Sequence, residues 1–297
     1  MARGEKEQPL KIDLNGRIVA QEDACVSVFD RGFLYGDGVF ETLRVYNGKV
    51  FRREAHWDRL RRSAALIRLE LPFDESEYHE RLDRVIEVNG WKEAVARVTV
   101  SRGIGQRSFT LNYDQRPTSV FTARPFRSYP EEDYEKGVAA IFATTRRMNP
   151  AALNPAAKSA NYLNSVLAKA EADDAGAFDA IMLNQDGLLT EGSVTNLFLV
   201  RGTQLLTPSL ESGVLPGITR ATVLELGQKV GLEPSETALK TDDVFMSDEV
   251  FLTNTTVELL PVVRIGTSKV GDGMPGRITR ELHEAYRELV KRECYAA

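Results

Sequence analysis

The spacing of hydrophobic and polar positions changes several times along the chain, and each change marks an element. Short alternating runs at 18–20, 26–28 and 39–46 predict strands, and Asn47-Gly48 before Val50-Phe51 predicts a hairpin turn. Over 53–69 the period becomes helical, with Ala55, Leu60, Ala64, Ala65 and Ile67 on one face and charges on the other. Pro72 and Asn89-Gly90 bracket a second helix over 74–89. Strands follow at 94–101, alternating around Arg97 and Thr99, and at 118–123. Further strands are expected at 138–143, 179–183, 196–200, 250–253 and 259–263. Helices are expected at 161–172, at 218–230 between Pro216-Gly217 and Gly231, and at 277–291.

The segment 124–137 interrupts this pattern with two prolines, many charges and few aliphatics, and reads as a linker. It divides a small N-terminal domain (11–123) from a large domain (138–297), with residues 1–10 as a flexible tail. Many short strands, none in strict alternation with helices, argue for an α+β fold rather than a doubly wound sheet.

Composition narrows the class. A chain of 297 residues with 42% apolar and 27% charged residues is long enough for a core without disulfides or metal. A net charge of -5 offers no general footprint for nucleic acid. Two distant cysteines, Cys25 and Cys294, read as free thiols of a reducing cytoplasm. The start lacks the apolar stretch of a secretory signal, and no run approaches the ~18–20 apolar residues of a membrane span. Three histidines without H-E-x-x-H argue against a zinc site. Gly36-Asp37-Gly38 meets Glu41, and Gly103-Ile104-Gly105 meets Ser108, where a dinucleotide fingerprint needs its third glycine. P-loop and G-x-S-x-G motifs are missing.

What carries chemistry is an ordered set of motifs. Asp30-Arg31-Gly32-Phe33-Leu34-Tyr35-Gly36-Asp37-Gly38-Val39-Phe40-Glu41 is followed by His56-Trp57-Asp58-Arg59-Leu60 and Lys158-Ser159-Ala160-Asn161-Tyr162-Leu163. Then come Thr190-Glu191-Gly192-Ser193, Leu215-Pro216-Gly217-Ile218-Thr219-Arg220 and Thr253-Asn254-Thr255-Thr256-Val257-Glu258. From about residue 12 to the last helix, the chain resembles the class IV, or fold-type IV, pyridoxal-phosphate enzymes. These include branched-chain amino-acid aminotransferase, D-amino-acid aminotransferase and aminodeoxychorismate lyase. The resemblance implies two domains, a smaller N-terminal α/β sandwich and a larger domain with a mixed sheet, and pyridoxal 5′-phosphate as cofactor.

It also implies roles for particular residues. Lys158 would bond to the cofactor and, once freed, shuttle the proton at the α-carbon. Glu191 would keep the ring nitrogen protonated, so that the ring acts as an electron sink. Tyr162, one turn beyond Lys158 if both are helical, would lie near the 3′-oxygen. Gly217, Ile218 and Thr219 open a helix whose free N–H groups suit the phosphate, and Arg59, Asn254 and Thr255 would add donors. Leu215 would lie against the ring. Taken singly, these residues have plainer readings: a solvated lysine, an exposed turn acid, a core tyrosine, a helix charge beside Arg53, Arg61 and Arg62.

The substrate side is divided. Tyr35 and Phe40 match positions lining the aminotransferase side-chain pocket, and Tyr129 in the linker matches a branched-chain tyrosine. Arg97, read as buried in its strand, and Arg107 compete to anchor a substrate carboxylate, with turn amides at Thr255 and Thr256 taking the other. Phe109 stands where D-specific enzymes place a histidine, and Thr42 stands where branched-chain enzymes favour glycine. The favoured expectation is amino transfer between a hydrophobic L-amino acid and a 2-oxo acid, 2-oxoglutarate or glutamate. Formation of 4-aminobenzoate from aminodeoxychorismate, D-amino-acid transfer and a non-catalytic binding module are the alternatives. A homodimer or higher homo-oligomer is implied, in the cytoplasm and without nucleic-acid or membrane partners.

Overall fold

The computed structural model describes residues 9–105, 109–111 and 113–295. The chain forms two compact units, one of residues 1–126 with Ser159–Asn161, the other of residues 127–158 with 162–297.

Unit 1 is a six-stranded antiparallel sheet covered by helices. Its strands are β1 (Lys11–Leu14), β2 (Arg17–Ala20), β3 (Gly38–Tyr46), β4 (Lys49–Val50), β5 (Ala94–Ser101) and β6 (Thr118–Pro125), in the order β2-β1-β6-β5-β3-β4. Its helices are α1 (Arg31–Tyr35), α2 (Arg53–Leu66) and α3 (Glu75–Asn89). Asn47 (φ +50°) and Gly48 (φ +79°) turn β3 into β4 through the left-handed conformations that such a tight hairpin requires. Ser159–Asn161 joins this unit: the Ala160 N–H donates to Gly38 O at 2.8 Å, and Asn161 Nδ2 to Gly36 O at 2.9 Å.

Unit 2 is built on an eight-stranded mixed sheet. Its strands are β7 (Val138–Phe142), β8 (Asp179–Ile181), β9 (Asn196–Arg201), β10 (Gln204–Pro208), β11 (Glu233–Thr237), β12 (Glu249–Asn254), β13 (Glu258–Ile265) and β14 (Ser268–Lys269). The order is β11-β10-β9-β12-β13-β7-β8, with β14 on β13. β7 runs parallel to β8 and β13, and β10 parallel to β11. Helices α4 (Glu131–Lys136), α5 (Leu163–Asp174), α6 (Ile218–Lys229), α7 (Thr241–Phe245) and α8 (Arg277–Val290) complete it. The α+β class and the mixed sheet agree with the sequence reading, and no helix among the described residues is long and apolar enough to cross a membrane.

Three expectations need correcting. Val26-Ser27-Val28 is not a strand. Ser27 accepts the Phe29 N–H at Oγ and the Asp30 N–H at its carbonyl, so a local turn captures the backbone and leaves Val26 and Val28 exposed. The linker contains α4, and β11, a polar edge strand with Pro234, carries no alternation from which to read it. The buried face of α2 is not the apolar set read from sequence but His56, Trp57, Arg59, Leu60, Ser63 and Ala64, with Ala65 exposed.

That face is polar because of its partner. The two-residue period of β3 puts Glu41 on the same side as Val39, Leu43 and Val45, inside the core of unit 1. Its carboxylate accepts Arg59 Nε at 2.8 Å and Nη2 at 2.7 Å, and lies 2.7 Å from His56 Nδ1. Burial alone would raise the Glu41 pKa; Arg59, and after it His56, overcome this and hold it well below the usual carboxylate range.

A carboxyl with a depressed folded pKa contributes stability above its unfolded pKa, ordinarily 4.5, and that contribution is lost as pH falls below it. Glu41→Gln should therefore destabilise the protein by roughly 3–5 kcal/mol at pH 7, because it removes the carboxylate charge that faces a buried guanidinium. Urea unfolding of wild type and variant should converge as the pH is lowered from 4.5 towards about 3; a gap independent of pH would contradict the assignment.

Candidate active site

The centre of unit 2 is assembled around a buried acid, Glu191, 6% exposed. Glu191 stands in a bridge with Asn196 at the start of β9. Its Oε1 lies 2.6 Å from Arg147 Nη2, while Oε2 accepts the Leu215 N–H at 2.9 Å and Asn196 Nδ2 at 3.0 Å. Asn196 Nδ2 also donates to Leu215 O at 3.0 Å, tying the strand start to the loop that leads into α6. Burial pushes the Glu191 pKa above the ordinary carboxylate range, although Arg147, the Leu215 N–H, Lys158 and Arg220 oppose it.

The loop carrying Glu191 has its own anchor. Asp179 is fully buried and accepts Ser193 N–H at 2.9 Å, Ser193 Oγ at 2.5 Å and Thr195 Oγ1 at 2.6 Å. A Cβ on Gly192 would collide with Thr195 Oγ1 and Asp179 Oδ2, so the glycine and serine after Glu191 serve this closure.

Three features of the same unit suit an anionic, cation-bearing ligand. Helix α6 opens on Gly217 with no side-chain cap, and its first residues Ile218 and Thr219 are buried. Helix N-termini leave N–H groups without intrahelical partners and carry partial positive charge. Thr253, at the end of β12 and in register with Asn196, has a buried hydroxyl without a hydrogen-bond partner. Beyond it, Asn254 Oδ1 accepts the N–H groups of Thr256 and Val257, both at 2.8 Å, and Thr256 Oγ1 at 3.0 Å. Asn254 Nδ2 donates to Val194 O at 3.2 Å, which joins this turn to the Glu191 loop. The Thr256 amide is therefore committed inside the turn.

Lys158 and Tyr162 also differ from expectation. Both precede α5, which starts at Leu163, so the helical-turn argument for pairing them fails. The loop nevertheless brings them together, with Lys158 Nζ 5.6 Å from the Tyr162 ring centroid. Tyr129 packs on Phe178 and sets its hydroxyl 3.3 Å from Thr256 Oγ1.

The remaining sequence-derived residues belong to unit 1. Arg59 is the partner of Glu41. Arg97 is exposed rather than buried, because the inward positions of β5 are Ala94, Ala96, Val98 and Val100. Its guanidinium carbon lies 3.8 Å from the Phe40 ring centroid, and Nε donates to Thr99 Oγ1 at 3.2 Å. Tyr35 ends α1 against Phe109, ring centroids 5.2 Å apart. Arg107 lies outside the described residues. Sequence reasoning missed Arg147, Asn196 and Asp179. Only Asp179 left a signal, a charge beside Ala180 and Ile181 in an apolar run, which demands buried partners.

Residues 38–265 match the sequence profile of the family Amino-transferase class IV. The chain is 39% identical over 280 residues to a Methanocaldococcus jannaschii protein provisionally named a branched-chain-amino-acid aminotransferase, covering 94% of this chain and 96% of that one. It is 34% identical over 284 residues to the D-alanine aminotransferase of Bacillus licheniformis, covering 96% and 98%. The T.th. branched-chain amino acid aminotransferase complexed with N-(5′-phosphopyridoxyl)-L-glutamate superposes with a TM-score of 0.90 at 32% identity, covering 95% of this chain and 94% of that one.

A Cβ at position 217 would collide with Asn196 Oδ1, and two hydrogen bonds from Nδ2 restrain that side chain. Gly217→Ala should thus displace Asn196 and cost about 1–3 kcal/mol, read by urea unfolding. Unchanged stability would show that the approach of α6 to Asn196 is not tight.

Proposed function

The chain belongs to the class IV aminotransferases, and we propose that it moves an amino group between a branched-chain or other hydrophobic L-amino acid and 2-oxoglutarate. Enzymes of this family use pyridoxal 5′-phosphate. When bound, the cofactor supplies a carbonyl that takes up the amino group and a ring that draws electrons from the α-carbon. The observation that carries the reading is the buried Glu191, held by Arg147, the Leu215 N–H and Asn196 Nδ2, in the same unit as the uncapped start of α6 and a buried Thr253 hydroxyl without a hydrogen-bond partner.

In this reading the N–H groups of Gly217, Ile218 and Thr219 hold the phosphate, with Thr253, Asn254 and Thr255 adding to the cup. Glu191 holds the ring-nitrogen proton, and Arg147 keeps Glu191 oriented and ionised through its 2.6 Å contact. Leu215 would lie against the ring, and the Tyr162 hydroxyl would serve the 3′-oxygen. The Lys158 amine would hold the cofactor covalently and would move the proton at the substrate's α-carbon. Arg59, Tyr35, Phe40 and Tyr129 keep the roles that the family resemblance implies, Arg97 is favoured over Arg107 as the carboxylate anchor, and with the Thr256 amide committed inside the turn the other carboxylate is left to Thr255.

The 39% identity to the M. jannaschii protein supports a branched-chain donor, and the glutamate adduct in the T.th. enzyme supports glutamate as the common partner. The 34% identity to a D-alanine aminotransferase favours a second reading, D-amino-acid transfer, against which Phe109 replaces the expected histidine. L-leucine with 2-oxoglutarate should give faster turnover than D-alanine, and Lys158→Ala should abolish both. Faster turnover of D-alanine would overturn the substrate choice, and normal turnover by Lys158→Ala would overturn the chemistry. Arg97→Ala should raise KM for glutamate roughly tenfold, the value of losing one charge-assisted contact, and leave KM for leucine nearly unchanged.

The proposed assembly is supported by unit 1. Val28, Phe29, Phe33, Leu34, Ile104 and Phe109 are exposed, Phe109 to 80%. The Asp30–Ile104 bridge and the Tyr35–Phe109 contact join their two segments into one apolar surface. Such a surface supports a homodimer burying more than about 2,000 Å² in total. The free thiols of Cys25 and Cys294 support a cytoplasmic location. Sedimentation should give a dimer for the wild type and a monomer for Phe33→Glu; an active wild-type monomer would contradict the assembly.

A further inference from the structure

The turn at 253–257 carries groups assigned above to anion binding, and residues without a role in that reading hold it from behind. Glu258, the first residue of β13, has φ +58°, in the left-handed region that residues with a side chain rarely adopt. Its carboxylate is 14% exposed. Oε2 lies 2.7 Å from His283 Nε2 and accepts Arg287 Nε at 3.2 Å, two groups one turn apart on α8. Tyr134 of α4 stacks on His283, with centroids 5.3 Å apart and planes at 27°, and donates its hydroxyl to Val257 O at 3.1 Å. Tyr129 reaches Thr256 and Asn254 closes the turn internally, so the path from Asn254 to Glu258 is fixed at every residue but Thr255.

We propose that Glu258 is a positioning residue: clamped to α8 by His283 and Arg287, it holds the left-handed backbone that sets the 253–257 turn for a small oxyanion. That oxyanion is either the phosphate of the cofactor or the carboxylate of the substrate. The inference rests on the functional reading that places this turn in the cofactor and substrate site. Without its carboxylate contacts, residue 258 relaxes towards the extended conformation of an ordinary strand residue, and the peptide plane joining it to Val257 rotates. That rotation moves the Val257 carbonyl away from Tyr134 and disturbs the Asn254 closure, so Thr255 and the Thr253 hydroxyl lose their fixed positions.

A glycine test separates this role from plain packing. Glycine takes φ +58° without steric cost, whereas alanine does not. If residue 258 acts through its backbone, Glu258→Gly binds better than Glu258→Ala. If it acts only by packing, glycine, the more flexible residue, is the worse of the two. Cofactor-stripped wild type, Glu258→Ala, Glu258→Gly and His283→Ala are titrated with pyridoxal 5′-phosphate by fluorescence quenching, and the reconstituted enzymes give KM and kcat for L-leucine. Glu258→Ala should lose about fivefold to thirtyfold in affinity, with most of it recovered in Glu258→Gly. His283→Ala should add little in the Glu258→Ala background, because both act through one clamp. A loss in the titration identifies the phosphate as the oxyanion; a rise in KM with kcat retained identifies the carboxylate; either supports the inference. Should Glu258→Ala fail to fold, His283→Gln and Arg287→Ala, alone and together, make the same comparison. Wild type that binds cofactor while Glu258→Gly is no better than Glu258→Ala overturns the inference alone. Wild type that takes up no cofactor overturns the functional reading together with it.

Discussion

The contact between Arg147 and Glu191 organises the large unit. A carboxylate at 6% exposure is expensive to desolvate, and one guanidinium at 2.6 Å leaves it still above its ordinary pKa. The protein adds directed hydrogen bonds. The Leu215 N–H and Asn196 Nδ2 both point at Oε2, and each belongs to a segment that must then sit in one place. The start of β9, the loop before α6 and the Glu191 loop are thereby registered to one another. Asp179 repeats the device one layer deeper, collecting Ser193 and Thr195 so that the Glu191 backbone is as constrained as its side chain.

This design leaves the site polar in a particular way. The start of α6 has no side-chain cap, and burial holds the Glu191 pKa above the ordinary carboxylate range. A ligand with an oxyanion at one end and a protonatable nitrogen at the other satisfies both, which matches the cofactor of the family to which the chain belongs. Unit 1 uses buried charge differently. Glu41 is held by Arg59 and His56 and lies well below the ordinary carboxylate range, so it needs no outside cation. The two buried acids thus have opposite pKa displacements.

The periodic elements were legible in the sequence because burial there follows hydrophobic spacing: β3, β5, α3 and α6 fall where alternation and capping put them. Two of the failures, the α2 face and Val26-Ser27-Val28, come from polar groups that are buried or apolar groups that are not. The inner face of α2 is set by His56, Arg59 and Ser63, invisible to a hydrophobic count because their partner Glu41 is on a distant strand. Val26-Ser27-Val28 has strand composition, yet a serine-centred turn takes its backbone. Arg97 sits between apolar neighbours but on the outward side of β5. In the site, the ordered motifs pointed to Glu191, Lys158 and Gly217, whereas Arg147 and Asn196 stand alone in sequence and acquire meaning only through their contacts.

The central claim is that these residues hold the cofactor with Lys158 as its point of attachment. Borohydride reduction of the protein reconstituted with pyridoxal 5′-phosphate, followed by digestion and mass spectrometry, tests it directly. The account predicts a phosphopyridoxyl mass on the peptide containing Lys158 and on no other lysine. Stoichiometric cofactor binding with the mass on a different lysine, or on none, would contradict it.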